Sequence, residues 1–477
     1  MKYPLLYELN GRIWLTELNR KYRESVDLSK IPEYEFKRFR GLKMDYLWLM
    51  GVWQTGEKSV AISRTYPELQ HEYKYALPDL KTSDITGSPY AIAGYKPGSL
   101  FGSFSDLERF HRHLNDRDIK LILDFIPNHM GLDHPWVNAH PEYFLQSPDD
   151  TNFDEAIYKQ TGYKIVNGKD PYFPNWSDTL QLDYTSTAMR RQQINNLLKL
   201  AKVCDGVRCD MAMLVTREVF YKTWKRMPDT DFWPEAISEV KSKFPAFCFI
   251  AEVYWDMEWP LQQMGFDYTY DKRLYDRLSF AQADEIHAHL RADADFQNKS
   301  IRFIENHDQN RAVTQFGREK SLAAATVIMT LPGMHFLHSG QTKGYRIKIP
   351  VQLCRLPNEK EDNEVKLYYK NLIRATGHRI FKTGTWRLQR CQDSRLLYWT
   401  WHLGKSVRLV VINYSNQTVE TMIDLPADYL IACDIAFKDE LTGNVYVYPR
   451  EHLCASGLYI KLAPFQSHIF SMKSIQP

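Results

Sequence analysis

The stretch LILDFIPNH (residues 121–129) is an apolar, β-rich run that carries an acid, Asp124, and ends in His129. Similar runs occur along the first three quarters of the chain: LLYEL, DYLWLM, GVRCDM, FCFIAEV, IRFIEN and MHFLH. Segments with helical periodicity, such as residues 105–117 and 186–202, lie between them. Strands that alternate with helices predict a parallel sheet. Seven clear strands and one weaker eighth favour an α/β fold with a closed (β/α)8 TIM barrel over an open doubly wound sheet.

This alternation breaks at two places. Between His129 and about Tyr184 the chain is polar, rich in proline and aromatic residues, and too long for an ordinary loop. After about Gly377 the helical signals stop and short strands such as SVRLVVINYS follow. We therefore expect a barrel from residues 1–129 and 185–377, a small domain inserted after the third strand at 130–184, and a C-terminal antiparallel β-sandwich at 378–477.

Charge and cysteine content exclude several classes of protein. Lys and Arg total 61 and Asp and Glu total 58, so the net charge of +3 is small for 477 residues, and no basic block is present. We expect neither a nucleic-acid partner nor a membrane partner. The seven cysteines include no C-x-x-C pair, which predicts neither a disulfide framework nor a zinc site.

The amino-terminal sequence MKYPLLYELNGRIWL has Glu8 where a signal peptide would need apolar residues. The most apolar stretch further along the chain is interrupted by Pro332 and is too short to span a membrane. The resulting prediction is a soluble, cytoplasmic protein.

Four of the predicted strands end in chemically reactive side chains. These strand ends are DFIPNH (124–129), GVRCDMA (206–212), FIAEVYW (249–255) and ENHD (305–308). In barrels of this kind the catalytic side chains come from the carboxyl ends of several strands. Each acid alone would equally fit a helix cap or a partner for a nearby arginine, so the information lies in their combination and order.

Together and in this order, the four segments resemble the four sequence blocks of the α-amylase superfamily, glycoside hydrolase family 13. The segments YELNGRIWLTEL, LWLMGVW, GSPYAIAGY and LPGMHFLHSGQ also look like family segments, so the resemblance covers nearly the whole chain. It implies a retaining enzyme that hydrolyses or transglycosylates α-linked glucans or oligosaccharides through a covalent glycosyl-aspartate intermediate.

The resemblance also implies roles for individual residues. Asp210 would be the nucleophile, Glu252 the general acid/base and Asp308 the carboxylate that stabilises the transition state. The other residues that it places around the sugar are Tyr90, Asp124, His129, Arg208, His307 and Trp255. For four of these an ordinary structural role is the alternative: a helix cap for His129, core packing for Tyr90, packing under its own loop for Trp255 and a generic barrel-core ion pair for Arg208.

The two proposed catalytic acids have different neighbours in the sequence. Arg208 precedes Asp210 by two residues and should hold it ionised, while Asp124 orients Arg208. Glu252 lies in the apolar run FIAEVYW, where desolvation is expected to raise its pKa. A nucleophile needs the first environment and a general acid needs the second.

The chain departs from the family at a structural calcium site. Asn128 is present, but Gln181 stands where an acid is usual, and Leu214 replaces a histidine. Because a hard cation prefers several oxygen ligands that include carboxylates, we predict no calcium and no other cofactor. Met213 and Leu214 also replace a Lys-His pair common in polymer amylases, which favours shorter oligosaccharides or a transfer reaction.

Other readings remain open from the sequence. A non-catalytic, amylase-like binding or assembly subunit is the alternative function, although such relatives lack part of the acid triad. His335 and His338 fit core residues better than metal ligands, and Trp399 and Trp401 fit a buried core better than a starch platform. Water and a second sugar compete as acceptor, and a sugar phosphate would need a basic pocket for which there is no clustered signal.

Overall fold

Eight strands form a closed parallel barrel in a computed structural model of the protein, which describes residues 2–147, 153–390, 392–425 and 434–475. The strands follow one another around the barrel in chain order. They are β1 (Leu5–Asn10), β2 (Tyr46–Met50), β3 (Lys120–Phe125), β4 (Gly206–Cys209), β5 (Cys248–Ala251), β6 (Tyr268–Tyr270), β7 (Ser300–Arg302) and β8 (Met334–His338). The predicted (β/α)8 barrel is confirmed.

One barrel strand has no clear signal in the sequence. Strand β6 is only three residues long and pairs with β5 at Ile250 and Ala251. The segment around it, FDYTYD, is broken by two acids and does not stand out as an apolar run, whereas the equally short β7 overlaps the apolar run IRFIEN. The other strands read clearly because they are buried on both faces, as all four residues of β4 are.

Hydrogen bonds from side chains next to the helix ends help to set where the helices begin and end. The helix Phe104–Asn115 is capped by Ser103, whose hydroxyl accepts from the backbone of Asp106 while the Asp106 carboxylate accepts in return. The α-helices are Gly11–Tyr22, Glu33–Gly41, Glu57–Thr65, Pro67–Ala76, Phe104–Asn115, Trp136–Ala139, Glu155–Thr161, Thr187–Leu200, Arg217–Trp224, Phe232–Lys243, Glu258–Gln263, Lys272–Phe280, Ala283–His289, Ala294–Lys299, Ala312–Phe316, Arg318–Thr330, Asn363–Thr376, Arg379–Thr383 and Arg450–Ser456.

The segment between β3 and β4 contains a small antiparallel sheet. Its central strand Trp176–Gln181 pairs with His129–Gly131 on one side and with Asn167–Gly168 on the other. A separate two-stranded sheet, Trp53–Thr55 with Ile92–Pro97, follows β2. The inserted segment therefore has its own sheet, as the break in the sequence pattern predicts.

The C-terminal part is antiparallel. Its strands are β9 (Thr385–Leu388), β10 (Leu396–Leu403), β11 (Ser406–Asn413), β12 (Val419–Ile423), β13 (Asp434–Asp439), β14 (Val445–Tyr448), β15 (Leu458–Leu462) and β16 (Ser467–Ile475). A six-stranded sheet has the order β9-β10-β11-β16-β13-β14, and a second sheet pairs β12 with β15. Buried side chains from both sheets, among them Tyr398, Val411, Val419 and Ile460, share one core. This arrangement confirms the predicted sandwich.

Trp399 and Trp401 are fully buried, so they do not form a starch platform. They lie on the face of β10 opposite to Tyr398, which belongs to the sandwich core. The indole of Trp401 packs against Phe381 and donates to the carbonyl of Thr330 at 2.7 Å.

The chain divides into two compact units. One comprises Tyr7–Tyr270 and Lys348–Asn358, and the other comprises Met1–Leu6, Asp271–Ile347 and Glu359–Pro477. Across the described residues, every helix is too short or too polar to cross a bilayer. Five cysteines are free thiols, while Cys391 and Cys433 lie outside the described residues.

Gly206 provides a test of the barrel packing. A Cβ at this position would lie 2.4 Å from the carbonyl oxygen of Cys248 on the neighbouring strand. We expect Gly206→Ala to lower the free energy of unfolding by about 1–3 kcal/mol or more, because the backbone must move. Gly41→Ala is the matched control, since nothing lies within 4 Å of a Cβ there. Equal melting temperatures for the two variants in thermal unfolding would contradict this packing.

Candidate active site

Two adjacent strands bring the proposed nucleophile and acid/base side by side. In the pairing of β4 with β5, Cys209 lies opposite Ala251. Asp210 and Glu252 are the next residues on each strand, and the backbone N–H of Glu252 donates to the carbonyl of Cys209 at 3.1 Å. The register therefore sends both acids out of the same edge of the barrel.

Arg208 joins these two acids. Its guanidinium is 1% exposed. Nη1 donates to Asp210 Oδ1 at 2.7 Å, and Nη2 lies 2.8 Å from Glu252 Oε2. Burial by itself lowers the pKa of Arg208, but Glu252, Asp210 and two nearby tyrosines outweigh it and hold that pKa well above its ordinary value. Arg208 is thus a permanent cation shared by two carboxylates, whereas the spacing in the sequence points only to Asp210.

Aromatic rings surround the same guanidinium. Its central carbon lies 5.0 Å from the ring centre of Trp48, 5.2 Å from that of Tyr90 and 6.0 Å from that of Tyr270. Such contacts stabilise a buried cation. The sequence does not indicate Trp48 and Tyr270 as site residues. Trp48 has the sequence context of an ordinary core residue of β2, and Tyr270 lies on the short strand β6.

Asp124 is fixed mainly by uncharged donors. Its Oδ1 accepts from the indole of Trp48 at 3.1 Å, and its Oδ2 accepts from the backbone N–H of Gly51 at 3.0 Å. Asp124 faces Arg208 in the β3–β4 register, but the closest approach is 3.9 Å. At that distance the carboxylate attracts the guanidinium without a hydrogen bond.

The surroundings of Glu252 are more polar than the run FIAEVYW predicts. Besides Arg208, its Oε2 accepts from the backbone N–H of Met211 at 2.7 Å, and its Oε1 accepts from the hydroxyl of Tyr254 at 3.0 Å. Met211 has a positive φ of 41°, a conformation that non-glycine residues rarely adopt. This turn directs its N–H at Glu252, so the chain after Asp210 also holds the second acid.

His129 begins the strand His129–Gly131 and does not cap a helix, since the next helix follows Pro135. The His129 side chain is buried, and its ring lies 5.1 Å from that of Trp176. Burial lowers the pKa of His129 to about 4, although the nearby carboxyl of Asp178 opposes this shift. The imidazole is therefore neutral at ordinary pH, which suits hydrogen bonding to a sugar hydroxyl.

The loop with Asp308 belongs to the other compact unit and is held by its own contacts. The side chain of Asn306 accepts from the backbone N–H groups of Asp308 and Gln309, both at 2.9 Å. His307 Nε2 lies 3.1 Å from Asp308 Oδ2. The Asp308 side chain is 42% exposed, while His307 is buried.

A buried ionic cluster anchors both ends of that loop. Arg311 Nη1 donates to Glu305 Oε1 at 2.8 Å, and His338 Nδ1 lies 3.1 Å from the same oxygen. Burial raises the pKa of Glu305, but Arg311 and His338 outweigh it and hold that pKa below its usual range. His335 instead contacts the carbonyl of Leu331 at 2.8 Å, so the two histidines do not share a ligand site.

Trp255 lies close to Glu252 in sequence and contacts the inserted segment. Its ring meets that of Tyr172 edge-on at 4.8 Å. Trp255 has a positive φ of 63°, as does the next residue, Asp256, at 62°. A contact with the sugar and packing under its own loop are both compatible with the partly exposed position of Trp255.

The residues at the family's calcium position do not fit a cation. The side-chain nitrogen of Gln181 donates to the carbonyl and side-chain oxygens of Asn128, both at 3.0 Å, and to the carbonyl of Leu182 at 3.1 Å. Asn128 in turn donates to Gln181 Oε1 at 3.1 Å. An uncharged amide thus holds oxygens that a hard cation would need. Among the described residues, no group of three or more His, Cys, Asp or Glu side chains could hold a metal ion.

This amide pair predicts the response to metal removal. We expect chelation with EDTA to leave the melting temperature of the wild type unchanged. Gln181→Glu should lower it, because a carboxylate then faces three oxygens, and added Ca²⁺ should restore part of the loss. Thermal unfolding with EDTA and with Ca²⁺ measures both, with the wild type as control. A wild-type melting temperature that falls in EDTA would refute this account.

Comparison with known proteins identifies the family. The model of the family described as alpha amylase, catalytic domain, matches residues 43–374. Alpha-amylase 3 of Dictyoglomus thermophilum is 25% identical over 294 residues, which is 56% of this chain and 56% of that protein. A maltosyltransferase of Streptomyces coelicolor that uses maltose 1-phosphate is 22% identical and covers 82% of this chain, which spans 58% of that protein's length.

Solved structures share the fold over the whole chain. A maltogenic α-amylase from Thermotoga neapolitana superposes with a TM-score of 0.72 at 20% identity and full coverage of both chains. An α-amylase from Geobacillus thermoleovorans, solved with acarbose, gives 0.69 at 17% identity and covers 99% of each chain. At these identities the likeness concerns the fold alone. Taken with the family match over most of its length, it leads to one conclusion: this chain belongs to the α-amylase family.

Proposed function

We propose that the protein is a retaining enzyme that acts on α-linked glucans or oligosaccharides, with Asp210 as nucleophile, Glu252 as general acid/base and Asp308 as the carboxylate that stabilises the transition state. Hydrolysis and transglycosylation share the first half of this mechanism and differ in the acceptor of the second. Tyr90, His129, His307 and Trp255 bind the sugar in this proposal. A cytoplasmic location remains the prediction from the sequence.

One observation carries the proposal: a single guanidinium, that of Arg208, binds both Asp210 at 2.7 Å and Glu252 at 2.8 Å. A retaining mechanism needs its two carboxyl groups about 5 Å apart, so that one attacks the anomeric carbon while the other protonates the leaving oxygen. Two acids on neighbouring strands that share one planar cation support this assignment. The hydrogen bond from Arg208 also keeps Asp210 ionised, as a nucleophile must be.

The contacts of Glu252 indicate which of its oxygens carries the catalytic proton. Oε2 faces two groups that can only donate, the guanidinium of Arg208 and the N–H of Met211. Oε1 faces the hydroxyl of Tyr254, which can accept as well as donate. Glu252 therefore takes up its proton at Oε1, with Tyr254 reversing its hydrogen bond, and this oxygen delivers the proton to the leaving group.

The decisive experiment follows products by chain length. The purified protein is incubated with maltooligosaccharides, trehalose, sucrose and maltose 1-phosphate. Products longer than the substrate indicate transfer, and glucose or maltose alone indicates hydrolysis. If none of these is turned over, and α-glucosyl fluoride releases no fluoride, the alternative of a non-catalytic binding subunit replaces the proposal.

Substitution of the three acids tests their roles. Asp210→Asn and Asp308→Asn should lower kcat far more than they weaken binding, because both act on the transition state. Glu252→Gln should lower kcat by about 10²–10⁴-fold on maltotriose. On α-glucosyl fluoride it should retain the first step, seen as a burst of fluoride, since fluoride leaves without a proton, whereas the second step loses its general base. Burst-phase kinetics on α-glucosyl fluoride and steady-state kinetics on maltotriose measure the difference.

The matched control for these variants is Asp205→Asn. Asp205 precedes β4 as Asp210 follows it, and its carboxylate contacts His111 and Lys120 at the amino end of the strand. We expect this variant to keep kcat within about twofold of the wild type. An Asp210→Asn enzyme as active as the Asp205→Asn control would rule out Asp210 as the nucleophile.

His129 provides a pH test. Because burial lowers its pKa to about 4, the imidazole is neutral above about pH 5 and does not produce an acid limb there. His129→Asn should therefore lower kcat/KM by about tenfold through lost hydrogen bonds, without moving the acid limb of the profile. The measurement is kcat/KM from pH 4 to 8. A limb near neutral pH that disappears in the variant would contradict the assignment.

A further inference from the structure

Arg12 is a buried cation that the proposed mechanism does not use. It is the second residue of the helix Gly11–Tyr22, and 6% of it is exposed. Its acceptors are all uncharged: Nε donates to the carbonyl of Gly51 at 3.1 Å, Nη1 to that of Gly87 at 2.8 Å, and Nη2 to the hydroxyl of Thr55. Burial lowers the pKa of Arg12 to about 10. No carboxylate among the described residues forms an ion pair with Arg12, and a charge buried at such cost calls for a specific role.

The first contact leads to Asp124. The carbonyl of Gly51 binds Arg12, and its N–H donates to Asp124 Oδ2 at 3.0 Å. Gly51 has a φ of 78°, and this left-handed conformation turns its two backbone groups toward these partners. Asp124 in turn lies 3.9 Å from Arg208. The position of Gly51 therefore sets the position of the carboxylate that faces Arg208.

The other two contacts lead to Tyr90. Arg12 holds Thr55 and Gly87, and the hydroxyl of Thr55 donates to the carbonyl of Ser88 at 3.2 Å. The hydroxyl of Ser88 then accepts from the backbone N–H of Tyr90 at 3.2 Å. The turn that carries the Tyr90 ring is thus fixed from two sides, one of them a direct bond from Arg12.

We propose that Arg12 is a positioning residue that ties the loop orienting Asp124 to the turn carrying Tyr90, and so sets the geometry of the sugar site around Arg208. The inference rests on the proposed function, because it assumes that this site binds the reacting sugar. Arg12 acts through Gly51 and Gly87 and touches no substrate itself. A planar fork of donors at fixed spacing can hold three acceptors on two chain segments, 51–55 and 87, in one geometry, for which the point charge of a lysine is not suited.

The test compares Arg12→Lys and Thr55→Val with the wild type, using fluoride release from α-glucosyl fluoride. Arg12→Lys keeps the charge but loses the fork, and we expect kcat/KM to fall by about ten- to a hundredfold, with kcat lowered and KM raised. Thr55→Val removes only the arm toward Ser88, so KM should rise while kcat stays within about twofold. This split between kcat and KM is a readout that a loss of stability alone would not produce.

Arg190→Lys is the matched control. Arg190 is also a buried arginine of the same compact unit, and it holds the loop at Thr230 and Asp231 through backbone and hydroxyl oxygens, with a further contact to the carboxylate of Glu235. Its kcat and KM should stay within about twofold of the wild type. Equal losses of kcat/KM in Arg12→Lys and Arg190→Lys, or no loss in Arg12→Lys, would overturn the inference and leave the proposed function standing.

Two further outcomes are decisive. If Arg12→Lys does not fold, Thr55→Val decides alone, and an unchanged KM overturns the inference. If the wild type releases no fluoride and turns over none of the four sugars named above, the proposed function itself fails and the inference fails with it.

Discussion

The mouth of the barrel depends on the buried guanidinium of Arg208. Taking such a group out of water costs several kcal/mol, and only well-placed partners offset that cost. Asp210 and Glu252 supply them at 2.7 and 2.8 Å. Both partners exist because β4 and β5 run side by side in a register that pairs Cys209 with Ala251. A slip of one residue would turn an acid to the other face and leave the cation unpaired, so the electrostatics and the strand register require each other.

The arrangement of the two acids requires a strained backbone conformation in the loop that follows β4. Met211, directly after Asp210, holds a left-handed backbone so that its N–H reaches Glu252. Such a conformation costs about 1–3 kcal/mol and persists only where the surroundings enforce it. Here a hydrogen bond from the loop after β4 to the acid on β5 enforces it. The two acids are therefore fixed by side-chain and main-chain contacts together, which leaves little freedom for either side chain to move.

The sequence predicts the barrel, the order of its acids and the contact of Arg208 with Asp210, because these depend on local pattern and on spacing along one strand. It does not predict that Arg208 also binds Glu252, since that contact depends on the register between two strands far apart in the chain. For the same reason the apolar run around Glu252 suggests a drier environment than the one its three donors create. Tyr270 is missed because its three-residue strand lies between Asp267 and Asp271 and so forms no apolar run. The pairing of Gln181 with Asn128 is another cross-strand event, of which the sequence reveals only that the usual acid is replaced.

The charges around the site explain why Arg12 binds carbonyl and hydroxyl oxygens. Asp124, Asp210 and Glu252 are all buried near Arg208, and even with Glu252 protonated, as the proposed mechanism requires, one cation does not balance the two carboxylates that remain. If Arg12 formed an ion pair with a further acid, the two charges would cancel and Arg12 would contribute nothing to this charge balance. Because the acceptors of Arg12 are uncharged, its positive charge acts on groups further away, and Cys354, Tyr90 and Asp124 raise the pKa of Arg12 against the larger effect of burial. Arg12 thus offsets repulsion among the acids while its three bonds fix the loops. In the proposed mechanism Glu252 carries the catalytic proton, so the two carboxylates that remain, Asp124 and Asp210, face the two buried cations Arg208 and Arg12.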